Sequence, residues 1–266
     1  MNYPLALFLI CFTILSVAAG AGFWLRRRLG KTEEYEHEDL GVILNTALTL
    51  LALLIGFSFS MATTRYDQRK NFEEAEANAI GTEYFRLGLL APADAIKSRQ
   101  LLKSYLDQRI QFYQVRNDAR LDQINNSTTQ LQNDLWNAAQ THSANLQAAQ
   151  SVLVLSGMND VLNSQGYTQA AWWNRLPIMT WVLMIAIGIC CNVLLGYNAW
   201  QVDRRQPRIF LMPLIVAVAF FLIADLDSPR GGLIRVMPQN LLSLADSLGS
   251  IREIGDAGGG ALTRRD

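Results

Sequence analysis

Leu40-Gly41-Val42-Ile43-Leu44-Asn45-Thr46-Ala47-Leu48-Thr49-Leu50-Leu51-Ala52-Leu53-Leu54-Ile55-Gly56-Phe57-Ser58-Phe59-Ser60-Met61-Ala62-Thr63-Thr64 is free of charged side chains from end to end. A helix needs about 20 apolar residues to cross the hydrocarbon core of a bilayer, and this stretch supplies them. No proline follows until Pro92, so the helix is expected to continue out of the membrane to about Leu90.

Three more runs have the same character: Tyr3 to Leu25, about Ile178 to Trp200, and Ile209 to about Leu226. The first is followed by Arg26-Arg27-Arg28 and lacks a basic n-region, which distinguishes it from a cleaved signal. Trp172, Trp173, Trp181 and Trp200 flank the third run as an expected interfacial belt. The fold class expected is all-α, an integral membrane protein with four transmembrane helices and a helical bundle inserted between helices 2 and 3. The boundaries expected are 1–64 for helices 1 and 2, 65–176 for the extramembrane domain, 177–227 for helices 3 and 4, and 228–266 for a C-terminal turn, a short amphipathic helix and a tail.

Within 65–176, Ala, Gln, Asn, Leu and Glu dominate, a composition that favours helices. Ala91-Pro92-Ala93-Asp94 is expected to break the first helix, with Asp94 capping a second over about Ala95–Val115. A polar turn is expected over Asn117–Ser127 and a long helix over about Thr128–Leu162, ended by Asn163-Ser164-Gln165-Gly166. Pro238–Leu248 reads as the amphipathic helix, with Leu241, Leu242, Leu244 and Leu248 on its apolar side, and the Gly-rich segment after Asp256 reads as a disordered tail.

Basic and acidic residues balance at 23 each, which argues against a nucleic-acid partner. Cys11, Cys190 and Cys191 lie inside apolar runs and read as small buried hydrophobes, and His37 and His142 are isolated. There is no phosphate loop, GxGxxG, triad spacing or metal constellation, so neither catalysis nor a cofactor nor a metal is expected. Arg26, Arg27, Arg28, Lys31, Arg204, Arg205 and Arg208 stand in the two short loops, which makes those loops cytoplasmic and the large domain external by the positive-inside rule.

At 100° per residue, Asn45, Thr49, Ala52, Gly56, Ser60, Thr63 and Asp67 fall on one stripe of the second span. Small-polar stripes are commonly helix-packing faces, and they also line water-filled paths. Beyond the membrane, Glu73, Glu76 and Glu83 share a broad face of the same helix. Repeated around a symmetric oligomer, these carboxylates and Asp67 would ring a pore mouth, whereas an isolated charge run is usually a solvated face. Gly81, in the middle of that helix, is expected at a close helix contact. At the end of the fourth run, Asp225 and Asp227 are costly at a membrane boundary unless solvated or paired, with Arg65 and Arg230 as candidate partners beside Pro229.

Leu54-Ile55-Gly56-Phe57-Ser58-Phe59-Ser60, Arg65-Tyr66-Asp67 and Glu76-Ala77-Asn78-Ala79-Ile80-Gly81-Thr82 resemble a bacterial membrane family described as bestrophin-like. Leu226-Asp227-Ser228-Pro229-Arg230-Gly231-Gly232 and Val236-Met237-Pro238 resemble its second signature. Through it the chain is distantly similar to bestrophins, pentameric ion channels mainly for anions, whose second helix carries an L-G-F-x-V-T-x-x-x-T-R-W pattern beside the pore neck. Ile55-Gly56-Phe57, Ser60 and Thr64-Arg65-Tyr66 match that pattern. The resemblance implies that Phe57 and Leu53 are neck residues, with Thr49 where bestrophins carry an aliphatic side chain. It also implies a cytoplasmic domain, opposite to the side indicated by the basic loops.

The residues expected to line a pore are Asn45, Thr49, Leu53, Gly56, Phe57 and Ser60. The function expected is an oligomeric ion channel in a bacterial inner membrane, crossing it several times, with copies of itself, the lipid bilayer and inorganic ions as partners. The alternative is a membrane-anchored sensor or scaffold built on the helical bundle, which would need a separate output partner.

Overall fold

The computed structural model describes residues 4–29, 34–199 and 207–249. Lys31, Trp200, Arg204, Arg205 and the tail after Asp256 lie outside the described residues. Among the described residues every regular element is helical: α1 (Pro4–Leu29), α2 (Glu34–Arg86), α3 (Pro92–Gln114), α4 (Asp118–Ser143), α5 (Ala148–Trp173), α6 (Ile178–Asn198), α7 (Leu211–Asp227) and α8 (residues 239–249).

Three helical stretches are long and apolar enough to cross a membrane: Pro4–Leu29, the part of α2 after Asp39, and the stretch that ends with α6. With 17 residues, α7 is shorter, although a four-residue 3₁₀ turn over Pro207–Phe210 leads into it. At 1.5 Å per residue the 53 residues of α2 extend about 80 Å, more than twice the hydrocarbon thickness.

The chain divides into two compact units, one of residues 1–66 and 174–235, the other of residues 67–173 and 236–266. Helix α2 is shared by both. In the first unit α1 packs against α6 and α7 around Leu15, Met184, Cys191, Val216, Phe220 and Ile223. Gly22 and Gly196 allow the closest approach: a Cβ on Gly22 would strike the Val193 carbonyl, and one on Gly196 the Ala19 carbonyl. Backbones this near are the packing mode of small residues in membrane helices. Cys11 is buried in the same unit, whereas Cys190 is exposed. Trp181 is a core residue, not an interfacial one.

In the second unit α3, α4 and α5 pack in sequence, burying Leu102, Tyr105, Leu106, Phe112, Leu135, Val154, Met158 and Trp172. Four sequence expectations need correction there. Helix α3 starts at Pro92, whose fixed φ suits the first helical position, so Asp94 sits in the first turn rather than at the cap. Asn117 is itself the cap of α4, its side chain accepting from the amides of Ala119 and Arg120, so the expected polar turn is helix from Asp118 onward. The expected single helix over 128–162 is divided at residues 144–147, and the expected break at Asn163–Gly166 is inside α5. There Val161, Ser164, Thr168 and Trp172 continue one buried face across Gly166, and that burial outweighs the cost of about 1 kcal/mol for an exposed helical glycine.

Candidate functional site

Helix α2 positions nearly every residue of interest. In its first half, Leu44, Leu51, Ser58 and Ala62 are buried, so the helix turns that side to its own unit. Gly56 follows Leu51 by five residues, about 140° round the helix. The polar stripe is therefore turned away: Asn45, Thr49, Ala52, Gly56 and Ser60 are exposed. Leu53 and Phe57 lie beside the stripe, 54% and 60% exposed. A Cβ on Gly56 would meet nothing within 4 Å, unlike one on Gly22 or Gly196. The stripe is thus no packing face within the chain. The hydroxyls of Thr49, Thr63 and Thr64 donate to the carbonyls four residues before them, at 2.8 to 3.0 Å, so none is left bare on the surface.

In the second half of α2, Asp67 is exposed, but Glu73, Glu76 and Glu83 are all buried against their own chain. Each carboxylate has a different setting. Glu73 Oε1 accepts from the amides of Asn240 (2.9 Å) and Leu241 (3.0 Å), and Oε2 accepts from Asn240 Nδ2. It caps α8 from another helix, meeting the bare donors of a helix start. One side of α8 is held further by Gly81, which lets Leu244 approach, and by Lys103 Nζ donating to the Leu248 carbonyl at 2.8 Å. Leu241 and Leu248 are buried and Leu242 is exposed, so the apolar side of α8 is narrower than expected and rests on protein.

Glu76 pairs with Arg109 of α3, and neither side chain is exposed. Tyr113 Oη and Thr168 Oγ1 both donate to Glu76 Oε2 at 3.2 Å. Burial is the largest single influence on the Arg109 pKa and would lower it, but Glu76, Tyr105 and Tyr113 together outweigh it and the net direction is up. Burial, with Glu76 adding, raises the Tyr113 phenol pKa. Glu83 has no hydrogen-bond partner on either oxygen, and burial raises its pKa to about 8.

At the end of α7 the two aspartates shape a turn. Asp225 accepts from the amides of Leu233 (2.7 Å) and Ile234 (2.8 Å), folding the chain back over Ser228-Pro229-Arg230-Gly231-Gly232. A Cβ on Gly232 would lie 2.7 Å from the Asp225 carbonyl oxygen, so only glycine fits beneath the carboxylate. Asp227 accepts from the Leu176 amide at 3.0 Å and faces Arg65 Nη1 at 3.8 Å. Pro229 is buried and Arg230 half-buried. Both carboxylates have structural work, accepting from backbone amides that are part-buried for Asp225 and buried for Asp227.

The residues missed from sequence are Arg109, Tyr113 and Thr168. A signal was present for Arg109: it stands at helical spacing among Leu102, Tyr105, Leu106, Phe112 and Tyr113, a lone cation in an apolar face. No group of three His, Cys, Asp or Glu side chains able to hold a metal occurs among the described residues.

The sequence matches the model of the bestrophin-like domain over residues 12–241. No curated protein matches it. In fold it is similar to a bacterial bestrophin homologue from Klebsiella pneumoniae, with a TM-score of 0.59 and 14% identity over 91% of this chain and 98% of that one. A point variant of that homologue gives a TM-score of 0.62 at 13% identity over 92% and 99% of the two chains. Another gives 0.61 at 14% over 92% and 97%. These likenesses carry the fold alone; the family rests on a sequence match that spans most of the chain. With its long apolar helices it is a membrane protein, and it belongs to the bestrophin-like family.

Proposed function

We propose that the chain is the protomer of an oligomeric ion channel, a pentamer by its resemblance to bestrophins, in a bacterial inner membrane. Four helices, α1, α2, α6 and α7, cross the bilayer in this reading, and residues 65–176 form a helical domain beyond it. Helix α2 lines the pore with Asn45, Thr49, Leu53, Gly56, Phe57 and Ser60, and Asp67 stands at the mouth.

One observation carries the reading: the polar stripe of α2 faces away from its own bundle, and Gly56 has no neighbour there. Polar groups exposed to lipid would be a liability, whereas copies of α2 around an axis would place them against water and one another. Phe57 and Leu53 supply an apolar constriction beside the stripe, and Thr49 supplies a wetter level. Because Glu73, Glu76 and Glu83 are buried within one protomer, the mouth charge in this reading falls to Asp67 alone, and cation preference loses most of its support.

The test is ion flux through the purified protein in liposomes, together with its mass in detergent. Flux above that of empty vesicles, a symmetric ring and altered conductance on Phe57→Ala are expected. Flux equal to empty vesicles, or a monomeric mass, would count against the reading.

A further inference from the structure

Glu83 is the last carboxylate of α2 and is wholly buried, yet neither oxygen has a hydrogen-bond partner. Its place is made by Gly157 of α5. A Cβ there would collide with Glu83 Oε2 and would lie 2.5 Å from Arg86 Nη1. Both side chains therefore reach across α5 at the same bare point of its backbone. Arg86 Nη1 donates to the Leu153 carbonyl, one turn earlier on α5, at 3.5 Å. No ion pair joins Glu83 to Arg86, although both border Gly157.

The charged groups that bear on Glu83 are few. Arg86, on its own helix, favours the carboxylate, and Asp160 of α5 opposes it. At this level α3 turns Arg99 and Lys103 to the Tyr84 ring, and His142 of α4 is engaged by Asp94 and Ser98. A carboxylate in such a site is costly without hydrogen bonds, whereas the neutral acid is tolerated.

We propose that Glu83, Arg86 and Gly157 form a proton-operated latch between the end of α2 and α5. With Glu83 protonated, the carboxyl lies closed over Gly157 and Arg86 holds the Leu153 carbonyl. When Glu83 gives its proton to solvent, the new carboxylate draws Arg86 onto itself, the Leu153 carbonyl loses the side-chain donor that links it to α2 while keeping its helical one, and α5 loosens around Gly157. Burial raises the Glu83 pKa to about 8, which places the change in the mildly alkaline range. The latch stands on contacts within one protomer and does not depend on the channel reading.

The test is hydrogen exchange of the full chain in detergent between about pH 6 and pH 10, corrected for the intrinsic pH dependence of exchange. Amides of α5 from Ser151 to Asp160 are expected to lose at least tenfold in protection as pH rises, while those around Leu102 in α3 keep theirs. Glu83→Gln, the isostere of the neutral acid, is expected to hold α5 protected throughout. Unchanged protection in the native chain, or the same loss in Glu83→Gln, would overturn the latch. Should the variant assemble poorly, infrared difference spectra of the native chain decide: the protonated-carboxyl band must disappear over the same pH range, and its persistence or absence throughout overturns the proposal. Neither result bears on ion flux, so this proposal and the channel reading can fail separately.

Discussion

Arg109 and Glu76 form an ion pair in which both side chains are fully buried, inside a shell of Tyr113, Thr168 and the Phe112 ring. The Arg109 guanidinium also lies 4.4 Å over that ring, a contact within α3, while its pairing with Glu76 ties α3 to α2. A lone buried charge is far more costly than a paired one, so either single deletion should be severe. Arg109→Leu or Glu76→Leu is expected to destabilise the second unit by about 3–5 kcal/mol. The double variant should recover part of that loss. Thermal unfolding of the four proteins in one detergent, read as a double-mutant cycle, measures the coupling, and strict additivity would contradict the pairing.

Glu73 has a different job from Glu76 although they are three residues apart. It caps α8, so Glu73→Ala should free that helix at a cost of about 1–2 kcal/mol. Limited proteolysis should then cut within residues 239–249 sooner than in the native chain. If Glu73→Ala changed ion selectivity and left that susceptibility unaltered, the capping role would be wrong.

The two kinds of glycine in the membrane helices should respond oppositely. Gly196→Ala places a methyl group against the Ala19 backbone, so α1 and α6 must separate and the folded yield should fall. Gly56→Ala meets no atom of its own chain. The protomer should fold with at most a small change in stability, and any effect should appear in oligomer mass or ion flux. Size exclusion and thermal melts of both variants separate the cases.

Glu83 makes stability depend on pH in a defined direction. Its folded pKa of about 8 lies above the ordinary 4.5, so between these values the folded chain keeps a proton that the unfolded chain has released. Stability contributed by the protonated form is fully present below 4.5 and is lost as pH rises through 8. The slope from this one group is roughly 1 kcal/mol per pH unit. Denaturant melts at several pH values should show the decline in the native chain and a flatter profile in Glu83→Gln.

Much of the architecture was legible because its causes are local. The run of residues 40–64 and the absence of proline before Pro92 suffice for one long helix that continues past the apolar run, as Glu34–Arg86 does. Helix ends were less legible. Asn117 is a good cap by its chemistry, yet the polar residues after it read equally as a turn, and only the packing of α4 between α3 and α5 selects helix.

The candidate site divides along the same line. Helical periodicity puts Asn45, Thr49, Gly56 and Ser60 on one stripe, and puts Glu73, Glu76 and Glu83 on one face, because 100° per residue is fixed by backbone geometry. Periodicity says which residues share a face and nothing about what the face meets. Tertiary structure decided that the stripe looks outward and that the carboxylates look inward to Asn240, Arg109 and Gly157. The partners lie 33 to 167 residues away in the chain, where no local pattern reaches, and it is their arrival that turns a row of surface charges into a cap, an ion pair and a buried acid.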